Sequence, residues 1–193
     1  WIIENNVIIV DHWHGITMMG AINSRIVNNT VYDPNTVTPG PARIQITAHK
    51  NKTPASVCIV RNNLAHAFIS DKTGVIEDHN SVISDPTLFF VNPKNYDLHL
   101  IPTSPAIDKG TSSLAPSLDR DGVSRPQGNA VDLGAYEWRR KPPPEKVAPE
   151  PTTEPTVPIE TVAPIEKQIP EKVAPEPTVP IEHSGDAGLA NEH

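Results

Sequence analysis

Only one cysteine, Cys58, stands in 193 residues. That excludes an intramolecular disulfide framework and any cysteine-based zinc cluster. Aromatic residues are scarce, with 3 Phe, 3 Tyr and 3 Trp, which argues against a large aromatic core. No run of about 18 apolar residues exists, so no helical membrane span is encoded. Positive charge is in deficit, 16 Lys+Arg against 23 Asp+Glu, which excludes a basic nucleic-acid-binding protein. No segment carries the apolar stripe of an amphipathic helix. A phosphate-binding Gly loop, a serine-nucleophile elbow and a helical zinc motif are all missing. The first residues, Trp1-Ile2-Ile3-Glu4-Asn5-Asn6-Val7-Ile8-Ile9-Val10, contain neither an initiator Met nor a basic leader with a cleavage site. No secretory signal can therefore be read, and the chain is expected to be a fragment or processed product that opens inside a strand.

What is present divides unevenly. Of 22 prolines, 12 fall in residues 142–193. That stretch holds 3 Lys and 10 Asp+Glu, so it carries the whole net charge of −7, while residues 1–141 balance. Glu145-Lys146-Val147-Ala148-Pro149-Glu150-Pro151-Thr152 returns as Glu171-Lys172-Val173-Ala174-Pro175-Glu176-Pro177-Thr178. Such Pro/Glu repeats bury too little apolar surface to fold. Residues 139–193 are expected to be a disordered tail, biased to polyproline II. It would serve as a spacer towards a surface or another domain, or end without a partner.

A different repeat runs through residues 1–84. Trp1-Ile2-Ile3-Glu4-Asn5-Asn6-Val7, Ser24-Arg25-Ile26-Val27-Asn28-Asn29-Thr30-Val31 and Cys58-Ile59-Val60-Arg61-Asn62-Asn63-Leu64 share one pattern. A weaker copy is His79-Asn80-Ser81-Val82-Ile83. The long second interval contains Tyr32-Asp33-Pro34-Asn35-Thr36-Val37-Thr38-Pro39-Gly40-Pro41, rich in turn formers and expected to be an inserted loop. Each repeat is too short to bury its apolar face alone, so the copies are expected to stack. Strand alternation predicts Trp1, Ser24 and Cys58 inward with Ile3, Ile26 and Val60, and Glu4, Val27 and Arg61 outward. It also places Asn5, Asn28 and Asn62 inward, as a structural ladder of stacked amides. The alternative is that the Asn pairs mark surface turns. Further short runs, Gly15–Met19, Arg43–Thr47 and Ala67–Ser70, would complete each coil.

After the coils come Asp97-Leu98-His99-Leu100-Ile101-Pro102-Thr103-Ser104-Pro105-Ala106-Ile107-Asp108-Lys109-Gly110, then Asp119-Arg120-Asp121-Gly122-Val123-Ser124-Arg125-Pro126, then Val131-Asp132-Leu133-Gly134-Ala135-Tyr136-Glu137-Trp138. This succession over residues 85–138 resembles the C-terminal end of right-handed parallel β-helix proteins of the pectin-lyase-like superfamily. The resemblance implies an all-β fold: a right-handed parallel β-helix (solenoid) fragment over 1–84 and a C-terminal capping segment over 85–138. It also implies carbohydrate as partner, acidic polysaccharide above all, and an extracellular or cell-surface location. Lyases, hydrolases, epimerases and non-catalytic adhesins all carry such ends, so activity does not follow from it. Leu98, Leu100 and Ile101 are expected to cover the last coil, with Pro102, Pro105 and Pro126 stopping further pairing.

Candidate chemistry is local. Asp11-His12-Trp13-His14-Gly15 is the densest polar cluster. If 12–14 are extended, His12 and His14 share a face, where they could ligate a metal or supply a general base. Trp13 could stack on a sugar ring. The alternative is a turn with exposed imidazoles. Cleavage of a uronate polymer by β-elimination, or its C5 epimerisation, needs a positive charge on the carboxylate and a base for the C5 proton. Arg61 could fill either role, although an outward solvated charge is the plainer expectation. Arg25, Lys50 and His49 complete a dispersed set for substrate binding. Asp119, Asp121 and Asp132 could bind calcium, a hard cation suited to carboxylates, although their spacing is not that of an EF-hand. The alternative for them is turn hydrogen bonds and pairing with Arg120 or Arg125. Paired carboxylates for hydrolysis, Asp71 with Glu77 or Asp78, fit poorly, since adjacent strand residues face opposite ways. The function expected is a polysaccharide lyase or C5-epimerase acting on uronates. The alternative is a glycan-binding adhesin or phage tail-fibre type β-helix.

Overall fold

The computed structural model describes residues 1–139. The tail assigned to 139–193 lies, Arg139 apart, outside the described residues. Short strands follow one another in sets of three: β1 (Ile2–Glu4), β2 (Val7–Ile9) and β3 (His14–Met19) form the first. The second set is β4 (Arg25–Val27), β5 (Thr30–Tyr32) and β6 (Arg43–Thr47). The third is β7 (Cys58–Arg61), β8 (Leu64–Ala65) and β9 (Ala67–Ser70), followed by β10 (Val75–Asp78) and β11 (Ser81–Val82).

Equivalent strands pair in parallel, which gives three sheets: β1-β4-β7-β10, β2-β5-β8-β11 and β3-β6-β9. The register keeps the repeat, with Ile3 opposite Ile26 and Ile26 opposite Val60. The fold is therefore mostly β, with parallel sheets. Period-2 alternation turns Ile26, Val31, Ile44, Ile46 and Val60 towards a shared apolar core, and each is at most 1 % exposed. Ser24 and Cys58 are buried beside them, as alternation predicts. Trp1 is not buried: it is exposed at the chain start.

The Asn pairs sit at the bend between the first and second strand of each set. Asn5, Asn28 and Asn62 take left-handed backbone conformations (φ 57°, 53° and 57°), as does His79 in the weaker copy (φ 49°). Asn tolerates this conformation better than other residues with a Cβ. The left-handed step breaks strand alternation, and this corrects the expected ladder. The continuous ladder runs through the second Asn of each pair: Asn6 Nδ2 donates to Asn29 Oδ1 (2.9 Å), Asn29 to Asn63 (3.0 Å), and Asn63 to Asn80 (3.0 Å). The same oxygens accept the backbone N–H of Asn6, Asn29 and Asn63. Of the first members, only Asn62 and Asn28 touch as side chains (3.1 Å). Their amides mainly bind the C-terminal segment.

That segment begins with a one-turn helix, α1 (Pro86–Phe89), capped by Asp85, whose carboxylate accepts the Thr87 N–H. An antiparallel pair follows, β12 (Phe90–Asn92) and β13 (Asp97–Leu100). Residues 101–139 then have little regular structure, yet they are tied down along the strand sets. Asn5 Nδ2 donates to Leu118 O (2.7 Å), Asn28 Nδ2 to Asp132 O (3.0 Å), and Asn62 Nδ2 to Thr111 O (2.8 Å). The segment is thus a lateral strap bonded to three successive sets, while Leu98 and Leu100, expected to cover the last coil, share a core with Ile83 directly after β11. A second apolar core under it joins Tyr32 and Leu64 of the β2-β5-β8-β11 sheet to Phe89, Phe90, Leu98, Leu100 and Leu133. Val27, expected outward, is fully buried, and its neighbour Asn28 bonds the strap.

Candidate functional site

The chain bends at residues 11–13 between β2 and β3, so His12, Trp13 and His14 do not alternate as an extended strand would. Their rings meet instead. His12 and His14 stack at 5.4 Å between centroids, and Trp13 lies edge-on to both at 5.7 and 5.6 Å. His12 Nδ1 accepts the His14 backbone N–H (3.0 Å), which fixes the His12 ring.

Parallel pairing brings the next set's strand alongside. His14 lies opposite Arg43, Thr17 opposite Gln45, and Met19 opposite Thr47. The Arg43 guanidinium carbon is 5.4 Å from the Trp13 ring centroid, within cation–π reach. Arg43 Nε donates to Gln45 Oε1 (2.8 Å), and Gln45 Nε2 donates to Thr47 Oγ1 (3.0 Å). His14 Nδ1 and Thr17 Oγ1 are 2.8 Å apart, and His14 Nε2 makes no hydrogen bond among the described residues. Burial lowers the His14 pKa, and the charges of Arg43 and His12 push the same way. The imidazole is therefore neutral near pH 7, and in the tautomer whose Nδ1–H donates to Thr17 Oγ1 the lone pair of a base stands on Nε2. The outer face of β3-β6-β9 thus combines an aromatic ring, a fixed guanidinium, a neutral imidazole, and amide and hydroxyl groups.

The other expected site residues are not gathered here. Arg61, on β7, belongs to a different sheet. It grips Asp78 through two bonds, Nε to Oδ1 (2.6 Å) and Nη2 to Oδ2 (2.7 Å), and Ser113 Oγ through Nη1 (2.9 Å). The Asp78 hydrogen bond raises its pKa, so Arg61 is a joint between β7, β10 and the strap, and neither a base nor the solvated charge expected. Arg25, on β4, pairs with Glu4 (3.3 Å). Lys50 is exposed in the loop after β6, and its neighbour His49 closes that loop through Nδ1, which accepts the Asn51 N–H (3.3 Å).

The three aspartates expected as calcium ligands are each held by hydrogen bonds within the C-terminal segment. Asp119 Oδ1 accepts the N–H groups of Asp121 and Val123, and Oδ2 that of Glu137 (all 2.8 Å). Asp132 accepts from Asp108 and Trp138 (2.8 and 2.7 Å). Burial pushes its pKa up to about 6 despite those bonds. Asp121 binds His99. Among the described residues no group of three such ligands converges. The turn hydrogen bonds are those of the alternative expectation, while the partner of Arg125 is Glu137 (2.9 Å), with both side chains buried.

Arg43, Gln45, Thr17 and Thr47 were not singled out in the sequence. A signal existed in Arg43-Ile44-Gln45-Ile46-Thr47, where polar residues alternate with core isoleucines. Comparison of the chain with protein-family models, curated proteins and solved structures gives no match.

Proposed function

We propose that the chain belongs to a right-handed parallel β-helix protein, outside the cell or at its surface, that takes acidic polysaccharide on the outer face of β3-β6-β9. Its reaction is lyase or C5-epimerase chemistry on a uronate. One observation carries this reading: Arg43 lies over Trp13 beside a neutral His14 whose Nε2 is unengaged. Trp13 would stack on the sugar ring, and Arg43 would pair with the uronate carboxylate. Neutralising that carboxylate stabilises the carbanion formed when His14 Nε2 takes the C5 proton. In the lyase the electron pair then forms a C4–C5 double bond as the C4–O bond breaks, and the departing oxygen takes a proton from water. In the epimerase a proton returns to C5 from the opposite face.

The test combines binding and turnover. Incubated with polygalacturonate or alginate, the protein should generate absorbance from unsaturated ends, or altered C5 stereochemistry by NMR of the polymer. Arg43→Ala should weaken binding about 10-fold or more, and His14→Ala should lower turnover about 100-fold with binding kept. Binding lost in Trp13→Ala, with no turnover in the parent, would favour the second reading, a non-catalytic glycan-binding β-helix of adhesin or tail-fibre type. The Thr17, Gln45 and Thr47 row suits that reading. Absence of any binding to either polymer overturns both.

A further inference from the structure

The two imidazoles beside Trp13 differ in what their ring nitrogens do. His12 Nδ1 accepts the His14 backbone N–H (3.0 Å). A nitrogen that accepts holds no proton, so the His12 ring is neutral and its N–H stands at Nε2. His14, in the tautomer that donates from Nδ1 to Thr17 Oγ1 (2.8 Å), keeps a lone pair on Nε2. One ring thus presents a hydrogen-bond donor and the other a base.

The rings lie 26° from parallel with their centroids 5.4 Å apart. A sugar between them would need about 7–8 Å, twice a carbon–carbon contact distance. Both imidazoles therefore meet a bound sugar from one side, the side on which Trp13 lies edge-on to each.

We infer that His12 Nε2–H holds the departing C4 oxygen while His14 Nε2 takes the C5 proton from the same side, so that the reaction is a syn elimination on a uronate whose C5–H and C4–O bonds share one face of the ring. Glucuronate and mannuronate have that configuration, whereas galacturonate and guluronate place the two bonds on opposite faces. The inference rests on the outer-face reading above and selects the lyase from its two reactions, because an epimerase needs a proton donor across the sugar. The C5–H bond breaks to His14 Nε2, its electron pair forms the C4–C5 double bond, and the C4–O pair departs with the oxygen. A neutral imidazole is a weak acid, so His12 keeps its proton and stabilises the developing charge by hydrogen bonding. Water supplies the proton to the oxygen, and the hydroxide left takes back the one held by His14. Arg43, which pairs with the carboxylate, does not read the C4 configuration. Galacturonate therefore binds without reacting.

The experiment uses the full chain with polymannuronate, polyglucuronate, polyguluronate and polygalacturonate. Binding is read from the Trp13 indole NMR signal, assigned through Trp13→Phe, during titration with oligomers of each. Turnover is read from the absorbance of unsaturated ends. Oligomannuronate and oligogalacturonate should both shift Trp13, but polymannuronate or polyglucuronate should be cleaved about 100-fold faster than the other two polymers. His12→Asn keeps an acceptor for the His14 N–H and removes the donor. It should lower kcat on the cleaved polymer about 100-fold with KM unchanged. Equal or faster cleavage of polygalacturonate or polyguluronate overturns the inference, as does an unchanged kcat in His12→Asn. C5 inversion without unsaturated ends, or a Trp13 shift without turnover, overturns it too. Each of those outcomes leaves glycan binding on the outer face standing. No Trp13 shift and no turnover with any polymer sinks the outer-face reading, and this inference with it.

Discussion

A neutral imidazole has one ring N–H, yet His99 meets two carboxylates: Nδ1 lies 2.6 Å from Asp97 Oδ1, and Nε2 2.8 Å from Asp121 Oδ2. Only the imidazolium donates to both. Its ring also stacks on Tyr136 at 4.1 Å. Burial opposes protonation, but the bonds to Asp121 and Asp97 outweigh it, and the His99 pKa is raised. A raised histidine pKa adds stability that is complete below its ordinary value of about 6.5 and is lost as pH climbs through the folded value. Half of the side chain is exposed, so the effect is small. Between pH 6 and 9, Tm of the parent should fall by roughly 1–4 °C more than that of His99→Gln. Parallel Tm curves for the two proteins would rule the clamp out.

At the level of elements, the amide ladder fixes the register between sets. Asn63 donates to Ile26 O, Arg61 O and Asn80 Oδ1, and accepts from Asn29. Asn63→Ala strands several buried backbone groups at once and should cost about 3–5 kcal/mol in urea denaturation. Asn6→Ala, at the half-buried end of the ladder, should cost about 1 kcal/mol. Equal losses at the two positions would show that the ladder is not what sets the cost. The stacked β sets were legible because Ile3, Ile26 and Val60 recur in phase with the Asn pairs. The ladder was misplaced by one residue because alternation cannot foresee a left-handed step at Asn28 and Asn62. The site was half legible: His12, Trp13 and His14 are contiguous, whereas Arg43 reaches them only through strand pairing across an inserted loop. The lateral course of the strap was not legible. It depends on the close approach at Gly134, where φ is 88° and an added Cβ would meet Thr30 Oγ1 at 2.6 Å and Leu64 Cδ1 at 2.9 Å.

Across the whole molecule, the strap is locked by one buried ion pair. Arg125 donates to Glu137 Oε2 (2.9 Å), to Gly134 O (2.9 Å) and to Asn5 Oδ1 (3.3 Å), which joins the strap to the first strand set. Glu137 also accepts the N–H groups of Gln127 and Asp132. Removing one partner leaves a buried charge uncompensated. Glu137→Gln should therefore cost about 3–5 kcal/mol by chemical denaturation, with little change in the Trp13 response to oligogalacturonate at low temperature. A loss below about 1 kcal/mol would mean that Arg125 finds water instead. The strap also bears on biosynthesis. Asn5 and Leu118 lie 113 positions apart, and Thr30 and Ala135 lie 105 apart. During translation the parallel strand sets emerge before the strap, with Tyr32 and Leu64 bare on one flank until the last of these partners leaves the ribosome. For that interval the nascent chain is a sticky half-finished wall, and chaperone demand should peak just before its own polypeptide shutters it.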